Sequence, residues 1–471
     1  MQFKFSKLVV LLVAAAMVFG FTTTTRTTAQ DGAYVKTFDL TLPTADGVYK
    51  GIDPKGAKVT WWHNHTGARE DAVKAATEAF NKGNPWGITV EPINKGSYPV
   101  IYQAMLAGLQ TGEIPQLTVA YQNQAATYQN AKALVDLDAF VKDPVLGFGK
   151  DLTDDFFQGF LASDVNPQFG NQRLGMTVYR SMESLYYNVD ALTKLGYTAP
   201  PKTWDEFKEM SCKFVKEGLG TDGYQVRTDA SFVAAAAFAQ GGDIYDAAAD
   251  TFTYDTPEVK VMPQVMQDMI AEGCAKVITE NFGDQNSFIA GNALFYTGSS
   301  SGIPFVADGI AKAPTQFAFD IAPIPYKDAP VQDVYGASVS IPVTTREQEL
   351  AAWLFVRWFD EPDQQAAWAA ASNYFPVRKS TASGLTDVFT KIKAFQSAFD
   401  LLGSTKAEPP IAGYDPVRAL ASAALNNVLD GASVDEEFAK LNEEANKVLA
   451  ANKPGSPLPT PLPTATATPS K

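Results

Sequence analysis

The chain has two histidines in 471 residues, and both lie in one stretch, KVTWWHNHTG at 58–67, as His63 and His65. An i, i+2 pair on a strand points to one face, which is how a metal site begins. A structural zinc site needs two further ligands, and no cysteine or other histidine lies near. Neither a metal nor a triad context accompanies the pair, so no catalysis is assigned to it. Paired carboxylates would be the glycosidase route. The separation that defines them is spatial, and the eightfold strand–helix rhythm of a barrel is absent. There is no GxxxxGK[ST] and no GxGxxG after a strand. The runs TGSSSG (297–302) and YGASVS (335–340) are small-residue turns beside strands. They read either as tight turns or as a cleft where N–H groups and hydroxyls reach an anion.

These residues need elements to hold them. AKVTWW, GITVEPIN and QLTVAY read as strands, separated by helices in REDAVKAATEAFNKGNP, with Val73, Ala76 and Phe80 on one face, and in SYPVIYQAMLAGLQTG. Strand and helix alternating over short links predict a parallel sheet with covering helices, with ligand at the carboxyl ends of the strands. HNHTG, KGSY and YQNQ then share a rim, with His63 and Trp62 at the cleft mouth. The middle of the chain reads as more helical, in YYNVDALTKLGY, TWDEFKEMSCKFVKEGL and DASFVAAAAFAQGG. Strands return at NALFYTG, QFAFDIAPIPY and GASVSIPV, before a helix whose Leu350, Leu354 and Trp358 form a core stripe.

The predicted fold is α/β and two-lobed, each lobe a mostly parallel sheet flanked by helices, with the chain crossing several times and ligand bound between the lobes. Residues 1–30 carry Lys4 and Lys7, then an apolar run from Leu8 to Phe21, the layout of a secretory signal peptide. The predicted division is 31–178 and 324–360 in the first lobe, 179–323 and 361–452 in the second, and 453–471 as a Pro/Thr-rich disordered tail. Without the leader, 35 basic residues face 52 acidic ones, a net charge of −17 that argues against nucleic acid or an anionic membrane as partner. Cys212 and Cys274 read either as a disulfide or as two buried thiols.

One ordered set of motifs carries a resemblance: WWHN, AFNKGNP, KGSY, YYNVDALTKLGY, PPKTWDEF, NALFYTGSSSGI, APIPY, GASVSIP, AAWLFVRWF and SNYFPVRKS. In this order the chain resembles the family 1 extracellular solute-binding proteins, the substrate-capturing subunits of ABC importers, from Lys58 to about Ala450. It is most similar to the glycerol-3-phosphate-binding branch. The resemblance implies a type II-like periplasmic-binding fold and a ligand set of Tyr98, Gln122, Ser181, Ser299, Gly336, Tyr374 and Arg418. Tyr98 and Gln122 would take the glycerol end, Ser181, Ser299, Gly336 and Arg418 the phosphate, and Tyr374 would add a phenol. Arginine's planar fork with hydroxyls and an N–H suits a dianion. Gln122 stands where the branch has a glutamate, and Arg227 lies in a loop that in the branch often carries tryptophans.

The resemblance further implies a secreted, periplasmic or envelope-associated monomer with no catalytic residues, cofactor or metal. It would capture glycerol 3-phosphate, a glycerophosphodiester or another small phosphorylated polyol and deliver it to ABC permease subunits. A sugar or oligosaccharide ligand is the alternative, and a secreted carbohydrate-active enzyme the competing class.

Overall fold

The computed structural model describes residues 40–461, so the predicted signal peptide and the end of the Pro/Thr-rich tail lie outside the described residues. Two larger sheets organise the chain. Their strands, numbered in chain order, are β1 (Lys58–His63), β2 (Thr89–Asn94), β3 (Leu117–Ala120), β4 (Ser181–Asn188), β5 (Asp222–Val226), β6 (Ala275–Val277), β7 (Ala293–Ser299), β8 (Phe319–Ala322), β9 (Gln332–Tyr335), β10 (Ser338–Ser340) and β11 (Thr405–Lys406). The first sheet has the order β10-β3-β1-β2, with β1 parallel to both β2 and β3 and β10 antiparallel to β3. The second has the order β6-β5-β7-β4-β9-β11, and β8 also pairs with β4. Here β5 is parallel to β6 and β7, whereas β4 runs antiparallel to β7, β8 and β9, a more mixed sheet than the alternation of strand and helix implied.

The first lobe follows its sequence pattern closely. Along β1 every second residue is buried, and Val73, Ala76 and Phe80 of α1 (Ala68–Gly83) face the core. Two more helices, α2 (Tyr98–Thr111) and α3 (Gln122–Gln129), follow β2 and β3. The stretch YYNVDALTKLGY departs from its helical reading. Its first three residues end β4, and Asn188 Oδ1 accepts the Ala191 N–H at 2.9 Å to cap a short helix, Val189–Lys194. β4 is central and buried on both faces, so it lacks the alternation by which a strand is read.

In the second lobe α4 (Trp204–Lys216) begins with a capping box between Thr203 and Glu206, and α5 (Ala230–Ala239) is buried along its whole length. Cys212 of α4 is disulfide-bonded to Cys274, just before β6. Two helices, α6 (Arg346–Phe359) and α7 (Pro362–Ser372), pack on α1, and α6 also packs on β1, where Phe355 meets Trp61 at 5.4 Å between ring centroids. The two closing helices, α8 (Tyr414–Leu429) and α9 (Val434–Ala451), pack on each other, and α8 packs on α5. Beyond α9, the Gly455 N–H meets Asn130 Oδ1 at 3.3 Å and Leu458 packs on the first lobe's Met105–Tyr128 cluster.

The chain passes between the sheets at two close points. Met176 bridges Val339 of β10, and five residues later β4 begins in the other sheet. β9 ends at Tyr335 and β10 starts at Ser338, so Gly336 and Ala337 alone join strands of different sheets. Gly336 has φ +142°, a conformation that favours glycine. Among the described residues no helix is long and apolar enough to cross a membrane.

Candidate functional site

Between the sheets, beside these crossings, lies a cavity of about 340 Å³. β4, β9, the loop after β5, the start of α3 and the start of α8 all supply side chains to it. β4 places Glu183 on the face that looks toward α5 and α8, while its neighbours Met182 and Tyr186 enter the opposite core. Glu183 is fully buried. Its carboxylate accepts Arg227 Nη2 at 2.8 Å and the Tyr335 hydroxyl at 2.8 Å, and burial pushes its pKa up against the pull of Arg227.

A second ion pair stands opposite. Arg418, one turn into α8, is paired with Glu408, which also accepts the Tyr414 hydroxyl and the Ser231 hydroxyl, the latter at 2.6 Å. Arg418 Nη2 donates to Ser231 Oγ at 3.1 Å. Asp229 caps α5 by accepting the Ser231 N–H at 2.8 Å, and Asp415 accepts Asn123 Nδ2 at 2.6 Å. Burial pushes the Asp415 carboxyl up despite that bond. The lining therefore holds four carboxylates against two guanidiniums, each guanidinium already matched to an acid.

The residues expected from sequence divide into two groups. Gln122, Ser299 and Arg418 line the cavity; Tyr98, Ser181, Gly336 and Tyr374 do not. Gln122 turns its amide nitrogen toward the crossing, donating to Asp164 Oδ1 at 3.0 Å, to the Gly336 carbonyl at 3.3 Å and to Ser338 Oγ at 3.2 Å. Ser181 donates to the Tyr335 carbonyl at 3.3 Å. Ser299 shares a 3.0 Å hydroxyl contact with Ser301. Tyr98 and Tyr374 join Tyr121 and Tyr179 in a phenol cluster next to the cavity, where burial drives the Tyr98 hydroxyl well above its ordinary pKa. Tyr121 alone of the four lines the cavity.

Sequence reasoning passed over Glu183, Glu408, Asp229, Asp415, Tyr335 and Tyr414. A carboxylate inside the otherwise uncharged strand SMESLYYN was the available signal, because an unpaired charge there would be very costly. It also missed Arg180, fully buried at the first crossing, whose Nη2 reaches Asp164 Oδ2 at 3.2 Å and Ser338 Oγ at 2.8 Å.

The histidines sit elsewhere. His63 and His65 are 1% and 2% exposed, so His63 is core rather than cleft mouth, and Trp62 is half-buried under Lys95, 4.4 Å from its ring. Burial lowers their pKa values to about 4 and about 3, which keeps both rings neutral at physiological pH. Residues Gly298–Gly302 have the spacing GxSxG of a nucleophile elbow. Its central Ser300 is 1% exposed and accepts the Met182 N–H at 3.1 Å, which makes it a buried strand tie rather than an exposed nucleophile.

Comparison with known proteins follows this geometry. Residues 75–396 match the model of a family described as bacterial extracellular solute-binding protein. The sn-glycerol-3-phosphate-binding periplasmic protein UgpB of Shigella flexneri serotype 5b (strain 8401) is 22% identical over 340 residues, covering 68% of this chain and 74% of that one. Among solved structures, the cyclic alpha-maltosyl-1,6-maltose binding protein from Arthrobacter globiformis aligns with a TM-score of 0.72 at 21% identity, over 83% of this chain and 99% of its own. UgpB from Mycobacterium tuberculosis, in complex with glycerophosphocholine, aligns with a TM-score of 0.67 at 21% identity, over 84% and 98%. At these identities the structural likenesses speak to the two-lobed fold.

Proposed function

The chain belongs to the bacterial extracellular solute-binding protein family, and on that premise we propose that it captures a small polyhydroxylated solute in the 340 Å³ cavity and presents it to an ABC permease. The carrying observation is that both cavity arginines are already paired with carboxylates, Arg227 with Glu183 and Arg418 with Glu408. Such pairs, with Gln122, Asn123, Tyr335 and Tyr414 beside them, offer donors and acceptors at fixed angles and leave neither guanidinium unmatched, which suits hydroxyl groups. The volume is at the lower end of the roughly 300–1,000 Å³ common for small-molecule sites, so a small solute fits better than a long glycan.

Glycerol 3-phosphate or a glycerophosphodiester is the first ligand class, supported by the names of the curated relatives and by Ser299 and Arg418 in the lining. A sugar is the second, supported by the number of carboxylates and tyrosines. The set carried from sequence, Tyr98, Gln122, Ser181, Ser299, Gly336, Tyr374 and Arg418, remains part of this proposal. Four of its members would reach ligand only through a rearrangement of the lobes at the crossings. Function here is capture, with closure stabilised by ligand and no turnover.

The test is a thermal-shift screen of ligand-free protein against glycerol 3-phosphate, glycerophosphocholine and maltose. Ligand at about 100 times its Kd adds about 2.7 kcal/mol, a readily measured rise in Tm. Recovery of each ligand unchanged, at one per protein, supports capture, and conversion to product would sink it.

A further inference from the structure

A second cavity, of about 560 Å³, lies beyond Arg227 and Ser299, which line both. Its lining carries fewer acids than the first. Arg69, at the start of α1, donates Nε to the Ser372 carbonyl at 2.8 Å and lies 4.5 Å from the centre of the Tyr374 ring. Among the described residues it forms no ion pair with a carboxylate. Its Nη2 and the Nε of Arg227 lack a hydrogen-bond partner. Asp284 is the cavity's one carboxyl; it is 5% exposed, accepts the Gln285 N–H at 2.9 Å, and is pushed up in pKa by burial. Arg227 is already held by Glu183, so Arg69 is the cation of this space that no carboxylate matches among the described residues, and the hydroxyls of Ser299 and Ser301 line the same space.

At the rim, Phe282 and Phe305 are 69% and 61% exposed, and Phe282 holds φ +61°, a strained conformation for a bulky residue. Strain of that kind collects at ligand sites, and exposed rings there offer an apolar face to a carbon skeleton.

We propose that this second cavity is an anion-accepting extension of the ligand site: Arg69, Arg227, Ser299 and Ser301 hold a phosphate or carboxylate group of a ligand whose hydroxyl-bearing part occupies the first cavity. The proposal rests on the first cavity being the solute site. A guanidinium with unfilled donors and no acid partner is worth most when an oxyanion completes it, whereas Arg418 is already completed by Glu408. Arg69 comes from the first lobe and Arg227 from the second, so one oxyanion would tie the lobes together. Phosphate and uronate ligands share this chemistry.

Titration calorimetry on the full chain, as wild type, Arg69→Gln, Arg69→Lys and Arg418→Gln, tests it with matched probes: glycerol 3-phosphate against glycerol, glucuronate against glucose, and maltose as a neutral reference. The wild type is expected to bind the anionic member of one pair more than tenfold tighter than its neutral partner. Which pair shows the preference identifies the source of the oxyanion. Arg69→Gln should remove most of that preference, lowering anion affinity far more than neutral-ligand affinity, and Arg69→Lys should keep part of it. Neutral sugar bound with no anion preference overturns the extension and leaves the solute reading standing. A preference lost in Arg418→Gln but kept in Arg69→Gln also overturns it, by placing the oxyanion in the first cavity. No binding by any probe at millimolar concentration removes both readings.

Discussion

Arg418 and Arg69 bring the same guanidinium to neighbouring cavities, in opposite company. Arg418 meets Glu408, Ser231 and the Tyr414 ring. Arg69 meets a backbone carbonyl and a tyrosine face and, among the described residues, no acid. The difference teaches that a cation's place in a motif does not define a ligand. Its neighbours decide whether charge is left over for a solute, and those neighbours come from remote parts of the chain.

Three perturbations break or sharpen the contrast. The largest effect is expected from Glu408→Ala, which makes Arg418 resemble Arg69. Breaking a buried pair costs about 3–5 kcal/mol, reduced here to about 2–3 kcal/mol because Arg418 is one-third exposed, and urea unfolding should show it. The same variant should gain affinity for glycerol 3-phosphate in the first cavity.

The next concerns the imidazole close to Arg69. His65 has a folded pKa near 3 against an ordinary value near 6.5, with burial the main cause and His63 and Arg69 adding to it. Between those values the unfolded chain takes up a proton that the folded chain does not. Stability therefore falls as pH drops below about 6.5, by about 1–2 kcal/mol for this residue between pH 7 and 5. His65→Phe keeps a ring against Tyr179 and Trp368 and should flatten that slope by this amount in denaturation curves at the two pH values. An unchanged slope would mean that the ring is not held neutral beside Arg69.

The smallest effect is expected from Glu183→Gln. It frees Arg227 for the second cavity and should raise anion affinity about fivefold, or ~1 kcal/mol, in the same calorimetry. Because burial raises the Glu183 pKa, the wild type should approach the variant as pH falls toward the carboxylate range. Parallel pH profiles for the two proteins would contradict this assignment.

Local order was the legible part of the sequence. The first lobe's strands and helices alternate over short links, so β1, α1, β2, α2 and β3 are recoverable from spacing alone. β4 was harder, because a strand buried on both faces shows no period. The site was legible only through a resemblance, and then only in part: Gln122, Ser299 and Arg418 arrive in the cavity, while of the acids that neutralise its arginines Glu183 alone left a signal, as the lone charge of its strand. Glu183 and Arg227 are 44 positions apart, and Tyr374 lies 305 positions from Arg69. Pairing across such distances follows from topology, which periodicity does not encode. The disulfide had the same character, since 62 intervening positions carry no geometry.

The two residues between β9 and β10 have a mechanical meaning. A strand of one sheet becomes a strand of the other across Gly336 and Ala337, so any turning of the lobes about this segment must be taken up by two peptide units. In an engineer's terms the join has the form of a flexure rather than a bearing: one continuous strip of backbone runs from sheet to sheet, and the torsions of Gly336 and Ala337 are the freedom it offers.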